Sequence, residues 1–108
     1  MKLNEIQVIV EDVNKKFGWD SKNQTNPYED TSSLAEEVGE LFREVRKYEQ
    51  RGVRKGHNDT YTLDEVREEL VCEIGDVLAS ITTIANRYNI SLEEAVGSYR
   101  EKMNKRKV

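Results

Sequence analysis

Residues 63–88 read LDEVREELVCEIGDVLASITTIANRY, and this stretch decides the fold. Leu63, Val66, Leu70, Ile74, Val77, Leu78, Ile81, Ile84, Ala85 and Tyr88 recur at three- and four-residue steps, the period of one helix face. Thr62 and Glu65 stand where a capping box opens a helix. So broad an apolar stripe predicts that this helix is the most buried element. Toward the C-terminus, Asn89 and Ile90 interrupt the pattern, and Ser91 with Glu94 forms another capping box. Leu92, Ala95 or Val96, Tyr99 and Met103 then carry a fourth helix, which runs into the basic residues 102–107. Toward the N-terminus, residues 51–60 (RGVRKGHNDT) break the pattern with Gly52 and Gly56, and Arg51, Arg54 and Lys55 make them basic. Before them, Asn26 and Pro27 open a second helix with Glu29 as its capping acid and Leu34, Val38, Leu41, Val45 and Tyr48 as its stripe. The first helix extends from about Leu3 to Phe17 through Ile6, Ile9 or Val10, and Val13, and Gly18 ends it. The expected fold is all-α, one domain over residues 1–108, with four helices in a bundle. Its third helix offers more apolar face than a chain this small needs, so the core is expected to be completed by oligomerisation, as a homodimer or homotetramer.

The composition narrows the function classes. The 108 residues are 35% charged and 36% hydrophobic, with a net charge of −4. No apolar run approaches the ~20 residues a membrane span needs. Glu5, Glu11 and Asp12 lie inside the first apolar pattern, which argues against a signal peptide and for a cytoplasmic protein. The single Cys72 excludes an internal disulfide and a cysteine-cluster zinc site, and it is read as a small packing residue. An acidic chain lacks the net basic face that phosphate-backbone binding requires, so stable DNA or RNA binding is not expected.

The acids are placed unusually. With Leu34 as the centre of the second helix's stripe, Glu37 and Glu40 fall about 60° and 120° to one side at ~100° per residue. With Leu63 as reference on the third helix, Glu73 and Asp76 fall about 80° and 140° to the same side. Both pairs therefore border the core, and residues three apart are helix neighbours. Like-charged carboxylates beside a core are costly unless a cation or proton offsets them. A hard divalent cation meets that need, and oxygen-only ligation favours magnesium or manganese over zinc or iron. The only histidine, His57, lies in the basic loop. The plainer alternative is a set of solvated or salt-bridging glutamates, and Glu36, Glu44, Glu68 and Glu69 are read that way on spacing alone.

The order EExxE then ExxD, filled by Glu36, Glu37, Glu40, Glu73 and Asp76, carries a resemblance. With its flanks, SLAEEVGELFREVRKYE at residues 33–49 and ELVCEIGDVLASITTIANRYNISLEE at residues 69–94, the chain resembles the MazG-like nucleotide pyrophosphohydrolases of the all-α NTP pyrophosphatase superfamily. The resemblance covers roughly residues 27–106. It implies magnesium-dependent hydrolysis of a nucleoside triphosphate to monophosphate and pyrophosphate, in housecleaning or control of a nucleotide pool. Carried over by position, Glu37, Glu40, Glu73 and Asp76 would hold the metal. Glu36 and Glu37 would serve catalysis, Glu36 by orienting or deprotonating the attacking water, although the helical wheel turns it away from the stripe. Lys102 and Arg106, one turn apart, would contact phosphates; helix-dipole compensation is the competing account. Trp19 would stack on the base, or simply pack over the end of the first helix. Two rivals stand beside this reading: phosphoribosyl-ATP pyrophosphatase, with the same acidic layout, and a non-enzymatic acidic helical dimerisation module.

Overall fold

The computed structural model describes residues 1–20, 26–50 and 62–106. They form four helices: α1 (Leu3–Phe17), α2 (Pro27–Glu49), α3 (Leu63–Arg87) and α4 (Leu92–Asn104). Each start after the first is set by a side-chain cap. Asn26 Oδ1 accepts from the Glu29 amide at 2.9 Å, Thr62 Oγ1 from the Glu65 amide at 3.2 Å, and Ser91 Oγ from the Glu94 amide at 3.0 Å. These bonds satisfy amides that a helix start leaves without partners. Gly18 closes α1 in the left-handed conformation (φ 72°), which costs glycine little. Asn89 plays the same part after α3 at φ 53°.

The α2–α3 pair is the most extensive packing in the molecule, α1 packs on α3, and α4 packs on α1. The inward line of α1 is Leu3, Ile6, Gln7, Val10 and Asn14. Of the expected stripe, Val10 and not Ile9 turns inward, and the expectation is corrected at Val13 and Phe17, which are exposed. Gln7 explains the shift. Its Nε2 donates to Asn86 Oδ1 and to the Ile90 carbonyl, each at 2.9 Å, and its Oε1 accepts from the Leu92 amide at 2.9 Å. One amide thus ties α1 to the turn between α3 and α4, and a polar residue takes an inward position.

As expected, α3 carries more buried residues than any other described helix, but part of its apolar stripe is left uncovered within one chain. Only Val66, Thr82 and Ala85 are buried on it. Val71, Ile74, Leu78 and Ile81, at alternating three- and four-residue steps, are 41–53% exposed. The reason is coverage: α2 takes one flank, α1 another, and α4 sits on α1 instead of closing the ring. The radius of gyration of 17.2 Å is correspondingly large, against about 13 Å for a compact domain of this length. Among the described residues, no helix is long and apolar enough to cross a membrane.

Candidate active site

The antiparallel contact of α2 with α3 brings the motif carboxylates together. One oxygen from each of Glu37, Glu73 and Asp76 lies within 4.8 Å of the other two. Glu40 stands against Glu73 closely enough for the two carboxyl groups to share a hydrogen bond. Glu37 and Glu73 are half-buried, and the Oε2 atom of each is shut off from solvent with no hydrogen-bond partner. Burial pushes the Glu37 carboxyl up from 4.5 to about 6, and the negative charges of Glu40, Asp76, Glu73 and Glu36 add to it. Glu73 is raised as well, by burial first and then by Glu40 and Asp76. Crowding and desolvation make carboxylates hold their protons more tightly.

The donor set fits a hard divalent cation. Every candidate ligand is a carboxylate, and Glu37 and Glu73 each bury one oxygen that has no partner among the described residues, an arrangement that costs free energy unless a cation or proton meets it.

The cluster borders a cleft of about 770 Å³. Glu36, Glu37 and Asp76 line it, with Trp19, Tyr28 and Ser80 among the other walls. Glu36 is exposed but faces this cleft, so the wheel's outward placement did not remove it from the site. Trp19 is exposed along the cleft, and its ring stacks on Phe17 with centroids 4.9 Å apart and planes at 22°. The two accounts of Trp19 are thus compatible: it packs over the end of α1 and also presents a face to the cleft. Its amide donates to the Asn14 carbonyl at 2.8 Å, part of the turn that Gly18 permits.

Lys102 and Arg106 are exposed, at the end of α4, and line no part of this cleft. Arg51, Arg54, Lys55 and His57 lie outside the described residues. Glu44 takes the salt-bridging alternative and not the solvated one: it is 4% exposed and paired with Lys47 at 3.2 Å. One other reading changes. Cys72 is exposed and does not act as a packing residue.

Sequence reasoning missed two cleft residues. Asn14 is buried and donates from Nδ2 to Thr83 Oγ1 at 3.0 Å. Asp30 is buried and paired with Arg87 at 2.6 Å. The signal for Asn14 was available: it follows Val10 by four residues, on the inward face. Nothing in the spacing of Asp30 marks it.

A family model described as the MazG nucleotide pyrophosphohydrolase domain matches residues 27–108. The uncharacterized protein YvdC of Bacillus subtilis (strain 168) is 32% identical over 106 residues, covering 98% of this chain and 96% of that protein. The uncharacterized protein YpjD of the same organism is 34% identical over 98 residues, covering 91% and 82%. The crystal structure of Bacillus subtilis YpjD, a candidate pyrophosphatase, superimposes with a TM-score of 0.70 at 31% identity, covering 99% of this chain and 97% of that one.

Proposed function

The chain belongs to the MazG nucleotide pyrophosphohydrolase domain family, and on that premise we propose that it hydrolyses a nucleoside triphosphate to the monophosphate and pyrophosphate. Glu37, Glu40, Glu73 and Asp76 would hold magnesium, with manganese as a substitute. The observation that carries this reading is the pair of buried, partnerless oxygens on Glu37 and Glu73, at the edge of a cleft with room for a nucleotide. When bound, the metal neutralises phosphate charge and makes a water molecule a better nucleophile.

The chain's own residues supply the rest. Glu36, exposed on the cleft wall, accepts the proton that the attacking water gives up as the phosphoanhydride bond breaks. Trp19 offers a stacking face for the base. No side chain is asked to form a covalent intermediate, because phosphoryl transfer depends mainly on positioning and charge stabilisation.

Lys102 and Arg106 would serve phosphate binding from a neighbouring copy, since neither lines the cleft of its own chain. The exposed stripe of Val71, Ile74, Leu78 and Ile81 supports a homodimer or homotetramer. A cytoplasmic location suits a nucleotide substrate.

The test is a panel of canonical and modified nucleoside triphosphates together with phosphoribosyl-ATP, with magnesium, reading out pyrophosphate. Release from nucleoside triphosphates supports the reading. Release from phosphoribosyl-ATP alone would transfer the chain to the histidine-pathway activity. Silence across the panel would favour the non-enzymatic dimerisation module.

A further inference from the structure

The carboxylates do not stop at the motif. Glu44 follows Glu40 by one turn of α2, and Glu69 precedes Glu73 by one turn of α3. Glu44 and Glu69 meet across the helix pair as Glu40 and Glu73 do. The antiparallel packing therefore builds a ladder of three acidic rungs: Glu37 with Asp76, Glu40 with Glu73, and Glu44 with Glu69. The third rung joins an exposed acid, Glu69, to the most deeply set acid of the ladder, Glu44. Glu44 is 4% exposed, and its Oε2 is buried with no hydrogen-bond partner. A groove of about 570 Å³ opens on this rung, and Glu73 lines it too, so it adjoins the candidate metal cluster.

By geometry alone the third rung should attract a divalent cation as the other two do. Lys47 makes the difference. Its Nζ lies 3.2 Å from Glu44 Oε1 and 3.6 Å from Glu69 Oε2. Arg43 Nε adds a second positive charge 3.8 Å from Glu44 Oε1. The groove as a whole stays acidic, with Glu65, Glu68 and Glu73 also on its walls, but the Lys47 ammonium sits between the two rung carboxylates, in the space a metal ion would need. An ammonium is a compact point charge with three donors, suited to bridging two carboxylates.

We propose that Lys47 is a positioning residue: it occupies the third rung as a resident cation and confines the divalent metal to the rungs formed by Glu37, Glu40, Glu73 and Asp76. The proposal rests on the metal-site reading above. A metal ion drawn to Glu44 and Glu69 would pull Glu73, which borders both spaces, away from the productive cluster. Lys47 lines no part of the cleft of about 770 Å³ and acts through Glu73.

The test counts Mn²⁺ ions bound per chain by electron paramagnetic resonance, on the full chain without nucleotide. Lys47→Gln removes the charge and leaves an amide oxygen, so the count should rise by one ion relative to wild type. Lys47→Arg should keep the wild-type count, and adding Glu69→Gln to Lys47→Gln should abolish the extra ion. Glu69→Gln alone, a change at an exposed residue, should leave the wild-type count unaltered, and this arm stands even if Lys47→Gln does not fold. An unchanged count in folded Lys47→Gln would overturn the proposal, as would loss of an ion in Glu69→Gln. Because these counts need no substrate, failure to release pyrophosphate would sink the proposed activity and leave the role of Lys47 to be decided by the ion counts.

Discussion

Arg87 Nε donates to Asp30 Oδ2 at 2.6 Å, joining the first turn of α2 to the last turn of α3. Both side chains are largely buried, at 13% and 5% exposure. The pair fastens one end of the antiparallel contact whose middle carries the carboxylate ladder. Removing Asp30 takes a buried charge partner from Arg87, and breaking such a pair costs up to about 3–5 kcal/mol. Asp30→Ala should therefore lower the denaturant midpoint sharply, with a smaller loss for Asp30→Asn, which keeps an acceptor. Equal stability of all three proteins would mean that the pair does not fasten the helices.

Glu37→Gln, Glu40→Gln, Glu73→Gln and Asp76→Asn should each lower pyrophosphate release by at least about a hundredfold, the scale of losing one preorganised charge-stabilising group. The loss should fall on kcat more than on KM. Glu68→Gln, an exposed change on the same helix as Glu73, should stay within about twofold, as surface changes usually do. Glu44 is no control, because it is buried and paired. Comparable mild losses at Glu68 and Glu73 would reduce the effect to bulk charge.

The acidic cluster also sets a pH dependence. Without metal, the folded chain holds the Glu37 proton more tightly than the unfolded chain does, with the carboxyl raised from 4.5 to about 6. The stability gained from that proton is complete below about 4.5 and is lost as pH rises through about 6. The metal-free protein should gain from this group on acidification from about pH 7.5 to 5. Magnesium must displace the proton, so it should raise the melting temperature more at the higher pH. A magnesium-induced shift that ignores pH across this range would argue against Glu37 as a ligand.

Trp19 is the chain's only tryptophan, and it faces the cleft. A nucleotide that stacks there should change its fluorescence. Base–aromatic stacking is worth ~1–3 kcal/mol, so Trp19→Ala should raise KM by roughly tenfold with little change in kcat. Unaltered KM, and fluorescence blind to substrate, would leave Trp19 with only its packing on Phe17.

Leu78→Lys places a charge in the exposed stripe of α3. If that stripe is covered by a second copy, the variant should sediment as a smaller species than wild type at the same concentration. Wild type and variant sedimenting alike as monomers would remove the case for assembly through this face.

Local features were the ones legible from the sequence. The caps at Asn26, Thr62 and Ser91 depend on residues three positions apart, and the sequence contains them whole. The convergence of Glu37, Glu73 and Asp76 followed from angular offsets on two helices. The depth of Glu44 did not, because it arises from the register between α2 and α3 that sets Lys47 and Glu69 beside it. The wheel placed Glu36 correctly relative to its own helix, but the cleft wraps beyond that helix to residues near the end of α1. The exposed face of α3 marks another limit. Periodicity says that Ile74 and Leu78 seek cover, and it does not say whether the cover lies in the same chain.

Gln7 bonds to partners 79, 83 and 85 positions later in the chain. During synthesis α1 leaves the ribosome well before its anchors at Asn86, Ile90 and Leu92. Contacts so distant in sequence are slow to form, because the intervening chain must close before any bond is gained. Translation at about 5–20 residues per second therefore keeps α1 waiting for several seconds with Ile6 and Val10 uncovered. The order of emergence delays the docking of α1 until the α3–α4 turn appears, and until then its inward face is open to chaperones and proteases.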